Sequence, residues 1–181
     1  MKIICVGRNY LAHAAELNNP KPSNPIIFLK PETALLRPNE DFYHPSFSND
    51  IHFEAEIVVR INKEGKNIAE KFASKYYSEI GVGIDFTARD VQTALKEKGL
   101  PWEPAKGFDH SAPLSSIWLN VKDYDFQNLE FRFYQNETLR QIGHLIVTLN
   151  RHTHRQIAIA PTLHAALQAL KAVGQPTHHR V

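Results

Sequence analysis

Apolar and polar positions alternate most regularly over residues 52–61, HFEAEIVVRI. Phe53, Ala55, Ile57, Val59 and Ile61 fall on one face, opposite His52, Glu54, Glu56, Val58 and Arg60, the two-residue period of a β-strand. Shorter apolar runs at 2–6 (KIICV) and 26–30 (IIFLK) predict two further strands, the second closed by Pro31. Residues 79–86 (EIGVGIDF) predict another strand that ends at Asp85, and more strands are expected around 117–121 and 129–135. Helical spacing marks 9–18, 67–77 and 87–98. In the last of these, Thr87 and Asp90 form a capping-box pattern, Ala88, Val91 and Leu95 point inward, and Gly99 and Pro101 end the helix. Pro38, Pro45 and several Asn, Asp and Ser residues predict a long loop up to Asp50.

Composition narrows the class. The chain has 181 residues, 43% of them hydrophobic and 22% charged, which suits one globular domain with a real core. No apolar stretch approaches the length of a bilayer span, and the short run before Gly7 and Arg8 reads as a strand, so no membrane association is expected and a cytoplasmic location is the default. Cys5 is the single cysteine, which excludes an internal disulfide and a thiolate-rich zinc site.

Charge is unevenly spread. Residues 1–137 hold sixteen Lys and Arg against nineteen Asp and Glu, a net of −3, whereas residues 138–181 carry +5 and no acid. The basic isoelectric point therefore belongs to the last stretch and does not describe a nucleic-acid surface. That stretch also lacks Phe, Tyr and Trp and holds six of the ten histidines. Residues 156–173 there read as helix after Pro161. A tail that binds metal adventitiously through its histidines is a further reading, though their spacing matches no ligand motif.

Several side chains have the makings of a reactive site. Glu54 and Glu56 leave one face of a strand together, an arrangement relieved either by solvent or by a cation. Asp85 sits where a strand gives way to a helix and reads either as a helix cap or as a third acid of the same site. Three carboxylates without cysteine suit a hard cation: Mg²⁺, with Mn²⁺ or Ca²⁺ able to substitute. His13 and Glu16 share a face of the first helix, the spacing of an imidazole oriented by a carboxylate for general-base work or of two solvated neighbours. Arg89 and Gln92 share a helix face just beyond Asp85, and Lys106 follows in PWEPAKGFD. Each of the three is an ordinary surface residue unless a shared site gathers them.

Taken in order, VGRNYLAHAAE (6–16), FLKPETAL (28–35), FEAEIVV (53–59), GIDFTARDVQ (83–92) and GLPWEPAKGFD (99–109) resemble the fumarylacetoacetate hydrolase family, most closely its acylpyruvate hydrolase and oxaloacetate decarboxylase branch. The resemblance implies an α+β fold built on a rolled, mixed β-sheet with short flanking helices, usually dimeric. It implies metal ligation by Glu54, Glu56 and Asp85, water activation by His13 with Glu16, an active-site Lys106, and pocket residues Arg89 and Gln92, with Arg8 and Lys30 in matching motifs. The implied reaction is magnesium-dependent cleavage of a C–C bond in a 2,4-diketo acid that chelates the ion through its carboxylate and keto oxygens. Decarboxylation of oxaloacetate or isomerisation of a related dioate draws on the same enolate chemistry.

The resemblance runs through NETLRQIG (136–143) and stops near Gly143, where the acid-free, histidine-rich stretch begins. Residues 1–143 are thus expected to form an incomplete catalytic domain, and 144–181 an atypical basic tail with the family's C-terminal elements missing or replaced, as a shifted reading frame near His144 would produce. The contrasting expectation is a non-catalytic remnant of the family.

Overall fold

The computed structural model describes residues 1–7, 26–124, 129–145 and 157–159. The helix predicted over 9–18, with Arg8, His13 and Glu16, lies outside the described residues. So do residues 146–156 and 160–181 of the C-terminal stretch.

Six strands form the main sheet, in the order β2–β1–β10–β4–β5–β7. They are β1 (Ile3–Gly7), β2 (Ile26–Lys30), β4 (Ile51–Ile61), β5 (Tyr77–Ala88), β7 (Leu119–Asn120) and β10 (Ile157–Ile159). The β1–β10 pair is parallel and every other neighbouring pair antiparallel, so the sheet is mixed, as expected. Ile3, Ile4, Cys5 and Val6 of β1 are all buried, and a continuous apolar run of this kind suits a strand covered on both faces. Residues 157–159 precede the helix expected after Pro161. They form a strand that pairs with β1 on one side and β4 on the other.

β4 and β5 make the longest ladder, from Ile51 opposite Ala88 to Ile61 opposite Tyr77. Two expectations fail along it. β5 runs on through Asp85 to Ala88, so Asp85 caps no helix. The helix predicted over 67–77 is a 3₁₀ turn at Glu70–Lys75, because Tyr76 already accepts a hydrogen bond from the Asn62 N–H (3.0 Å) and Tyr77 joins the ladder.

A second layer covers the sheet face that carries Ile3, Cys5, Phe28 and Val58, bringing Ala34, Leu35, Trp102, Ala112, Leu114 and Trp118 against it. The segment after β6 (Ala112–Pro113, paired with β3, Leu35–Leu36) follows β5 closely. The Phe86 N–H donates to Ser111 O (3.0 Å) and the Ser115 N–H to Val82 O (2.8 Å). Gly83 permits this approach, since a Cβ there would stand 2.8 Å from Val58 and 3.0 Å from Leu114.

Helix α1 (Arg89–Glu97) starts without a side-chain cap, which corrects the capping-box expectation. Thr87 stays in the strand. The Arg89 N–H donates to Asp50 O (2.8 Å), and Asp90 accepts from the Ser48 hydroxyl (2.6 Å) and the Asn49 N–H (2.9 Å). Gly99, at φ +64°, ends the helix in the left-handed conformation that glycine adopts without strain. A single turn, α2 (Glu103–Lys106), follows. Strands β8 (Leu129–Gln135) and β9 (Thr138–Leu145) form a separate hairpin. Its two-residue turn, Asn136–Glu137, has both φ angles positive, as a type I′ turn requires. Among the described residues no helix is long and apolar enough to cross a membrane.

Candidate active site

Glu54 and Asp85 are directly opposite each other across the β4–β5 ladder, and Glu56 lies two residues along β4 from Glu54. All three therefore share one sheet face. It is the covered face: Asp85 is 3% and Glu56 7% exposed, and Thr87 beside them is fully buried. The plain reading of Glu-x-Glu as a solvated pair is thus set aside for Glu56. Two acids facing each other on a buried ladder repel unless a cation lies between them.

Lys106 supplies that cation. It ends α2, whose backbone is fixed by the Ala105 and Lys106 N–H groups donating to Trp102 O (2.9 and 3.0 Å). Its ammonium lies 2.8 Å from Glu54 Oε2, 2.6 Å from Asp85 Oδ2 and 2.6 Å from the Thr87 hydroxyl. Arg89, at the start of α1, grips the other oxygen of Glu54 through Nη2 and donates to Gln92 Oε1 (2.6 Å) through Nη1. Gln92 is the buried residue of α1, at 3% exposure, in place of the expected Val91 and Leu95. Its side-chain carbonyl is accommodated there because Arg89 donates to it.

The site rests on a lysine whose role the motifs left unassigned. Lys30, the last residue of β2, is 2% exposed. Its ammonium reaches Ser111 O (3.0 Å), Ser111 Oγ (3.0 Å), Phe86 O (3.2 Å) and Lys106 O, and pairs with Asp85 Oδ1 at 2.9 Å. It thus ties β2, β5 and the end of α2 to the Ser111 segment. A polar residue ending an apolar strand, within the motif FLKPETAL, hinted at it without giving its role.

These contacts set the charge states. Burial alone disfavours a charged Glu54 and is the largest single influence on it. The Lys106 ammonium and the Arg89 guanidinium overcome it and hold the carboxyl down to about 2. For Lys106, burial likewise opposes the charge, but Asp85 and Glu54 together move its pKa above the ordinary lysine value. Lys106 is therefore a fixed cation and hydrogen-bond donor at neutral pH, not a base. Cys5, on the same face, has its thiol pushed up by burial and then by the negative charge of Asp85, so it stays protonated.

Three carboxylates on one buried face form a hard-oxygen donor set suited to a divalent cation. Asp85 Oδ1 is buried and accepts no hydrogen bond, because the Lys30 ammonium lies off the hydrogen-bonding direction. As arranged, Glu54 and Asp85 close on Lys106, and among the described residues no three His, Cys, Asp or Glu side chains are gathered tightly enough to hold an ion. The residues fit a divalent cation in donor chemistry and in the face they share. The structure thus brings together Glu54, Asp85, Lys106, Arg89 and Gln92, with Glu56 on the same face. Arg8, His13 and Glu16 lie outside the described residues.

An α+β fold on a mixed sheet, with a buried acid cluster closed by a lysine, is the frame of an enzyme site. The sequence pattern described as fumarylacetoacetate (FAA) hydrolase C-terminal matches residues 2–164, and the chain belongs to the fumarylacetoacetate hydrolase family. The match extends past Gly143 and takes in β10. The oxaloacetate tautomerase YcgM of Escherichia coli is 41% identical over 144 residues, 78% of this chain and 65% of that protein. The mitochondrial oxaloacetate tautomerase of Bos taurus is 39% identical over 141 residues, 78% of this chain and 64% of its own. Among solved structures, the fumarylpyruvate hydrolase of Pseudomonas aeruginosa in complex with Mn²⁺ and pyruvate superposes with a TM-score of 0.71 at 32% identity, covering 79% of this chain and 64% of that one. The chain spans slightly less than two thirds of the length of these relatives.

Proposed function

We propose that this protein carries out enolate chemistry on a short 2-keto acid bearing a second carbonyl or carboxylate. The proposed reaction is hydrolytic C–C cleavage of an acylpyruvate-type 2,4-diketo acid. Tautomerisation or decarboxylation of oxaloacetate is the related activity suggested by the names of its relatives. The observation that carries this reading is the Lys106 ammonium, buried and held charged between Glu54 and Asp85.

A substrate of this class develops negative charge on an enolate oxygen. A preorganised, desolvated ammonium stabilises that charge without reorganising at the moment of reaction. Arg89, aligned by Glu54 and Gln92, offers a second cation for a substrate carboxylate. Glu54, Glu56 and Asp85 would hold a divalent cation, Mg²⁺ or Mn²⁺, whose chemistry when bound is polarisation of the substrate's keto oxygen. A solved relative in complex with Mn²⁺ and pyruvate supports this choice. His13 and Glu16 are the proposed base and its orienting partner, on their spacing and motif. Arg8 is proposed to bind substrate, and the active unit to be a homodimer.

The test is a paired assay of the full chain with acetylpyruvate and oxaloacetate in the presence of Mg²⁺ or Mn²⁺. Turnover of either substrate that Lys106→Met abolishes supports the reading. A folded chain that turns over neither, or one whose Lys106→Met variant is fully active, overturns it.

A further inference from the structure

The β8–β9 hairpin lies outside the main sheet, yet one of its side chains closes on the strand that carries the acids. The Gln141 side-chain amide meets both backbone groups of Ala55: the Ala55 N–H donates to Oε1 (2.9 Å), and Nε2 donates to the Ala55 carbonyl (2.9 Å). Ala55 is the residue between Glu54 and Glu56. On this edge of β4, the ladder with β10 covers only Val58 and Val59. The amide therefore does for Ala55 what a neighbouring strand would do, satisfying a buried donor and acceptor at once. A ring contact also links the hairpin to β4, Phe133 against Phe53, with centroids 5.4 Å apart.

We propose that Gln141 is a positioning residue of the acid site: by clasping Ala55 it fixes the backbone between Glu54 and Glu56 and so sets how both carboxylates are presented to a divalent cation. This rests on the reading of those acids as cation ligands. A strand edge with free N–H and C=O groups is free to bend or bulge. A bulge at Ala55 would turn one of the two acids to the opposite face, because side-chain direction alternates residue by residue. Groups that orient ligands without touching the ion are worth about 10–100-fold in its affinity.

The experiment compares the full wild-type chain with Gln141→Met, which keeps the volume and removes both hydrogen bonds, and with Phe133→Leu, which loosens the hairpin without touching Ala55. Three quantities are measured: Mn²⁺ affinity by electron paramagnetic resonance, hydrogen exchange at the Ala55 amide, and the midpoint of thermal unfolding. For Gln141→Met, Ala55 exchange accelerates at least tenfold and the Mn²⁺ dissociation constant rises about tenfold or more, while the variant remains cooperatively folded. For Phe133→Leu, Mn²⁺ affinity stays at the wild-type value. Should Gln141→Met fail to fold, Gln141→Glu, which keeps the acceptor for the Ala55 N–H, takes its place in the same comparison. Unchanged Mn²⁺ affinity with accelerated Ala55 exchange overturns the positioning role, as does an equal loss in both variants, which would make Gln141 a mere tether. A wild-type chain that binds no Mn²⁺ overturns the metal reading itself and this inference with it.

Discussion

Two antiparallel ladders in this molecule carry ion pairs, and they carry them in opposite surroundings. On β8, Glu130 and Arg132 meet at 2.7 Å with their side chains 37% and 58% exposed. On β4–β5, Glu54 and Asp85 meet Lys106 at similar distances, with the Asp85 and Lys106 side chains 5% and 4% exposed. Water screens the first pair and competes for its hydrogen bonds, so it adds little. In the second, Asp85 and Lys106 have lost nearly all their hydration and depend on their partners, while Glu54 keeps 22% of its side chain exposed. The same bond length therefore describes a surface ornament in one place and an obligate network in the other. Burying charges in this way is poor economy for stability alone; it is what a site needs when a fixed field must act on a substrate.

The comparison breaks most visibly at Lys30. Replacing it with Met leaves the buried Asp85 carboxylate with Lys106 as its only cation and takes the donor from the oxygens of Phe86, Lys106 and Ser111, and is expected to cost about 3–5 kcal/mol. That is a large part of a typical domain's stability, and urea unfolding will register it. Lys106→Met should cost less, about 2–3 kcal/mol, because Glu54 keeps Arg89 and Asp85 keeps Lys30. On the proposed function its activity should nevertheless fall by about 100-fold or more, since the lost ammonium is the group proposed to face the substrate's developing charge. Parallel denaturation and steady-state assays separate the two losses.

Stability against pH sharpens the same contrast. Glu54 has a folded-state pKa depressed to about 2, so its contribution is present above the ordinary carboxylate value and is lost as pH falls towards 2. The pKa of Lys106 is raised, so its contribution is present below the ordinary lysine value and is lost only as pH rises through the raised one. The network is thus intact across the neutral range. Glu54→Gln should flatten the acid limb of a stability–pH curve and leave the alkaline limb in place. The smallest effect belongs to the hairpin: Glu130→Gln should change stability by less than about 0.5 kcal/mol, and added salt should erase even that.

Much of this architecture was legible in the sequence where one signal governed. Strand β2 matches the run IIFLK and β8 matches 129–135, because apolar patterning and a following breaker fix such elements locally. The acids and Lys106 were legible from their motifs. What the sequence concealed depends on tertiary burial. Nothing in HFEAEIVVRI says that Glu56 lies on a covered face, since a strand with both faces packed has no solvent side to betray its orientation. Thr87 followed by Asp90 has the spacing of a helix start, yet Lys106 needs the Thr87 hydroxyl and Ser48 needs Asp90. Lys30 and Gln141 act on residues 55 or more and 86 positions away, respectively, in Asp85 and Ala55, a link that no local pattern encodes.

The central claim is that Glu54, Glu56 and Asp85 share one buried face on which a divalent cation settles beside Lys106. Crystals of the full chain grown with Mn²⁺, with data collected at the manganese absorption edge, test it most directly. The account predicts an anomalous peak in contact with all three carboxylates, with the Lys106 ammonium beside it. A peak confined to the histidines beyond residue 143, or none at all with Lys106 still closing the two acids, would contradict it.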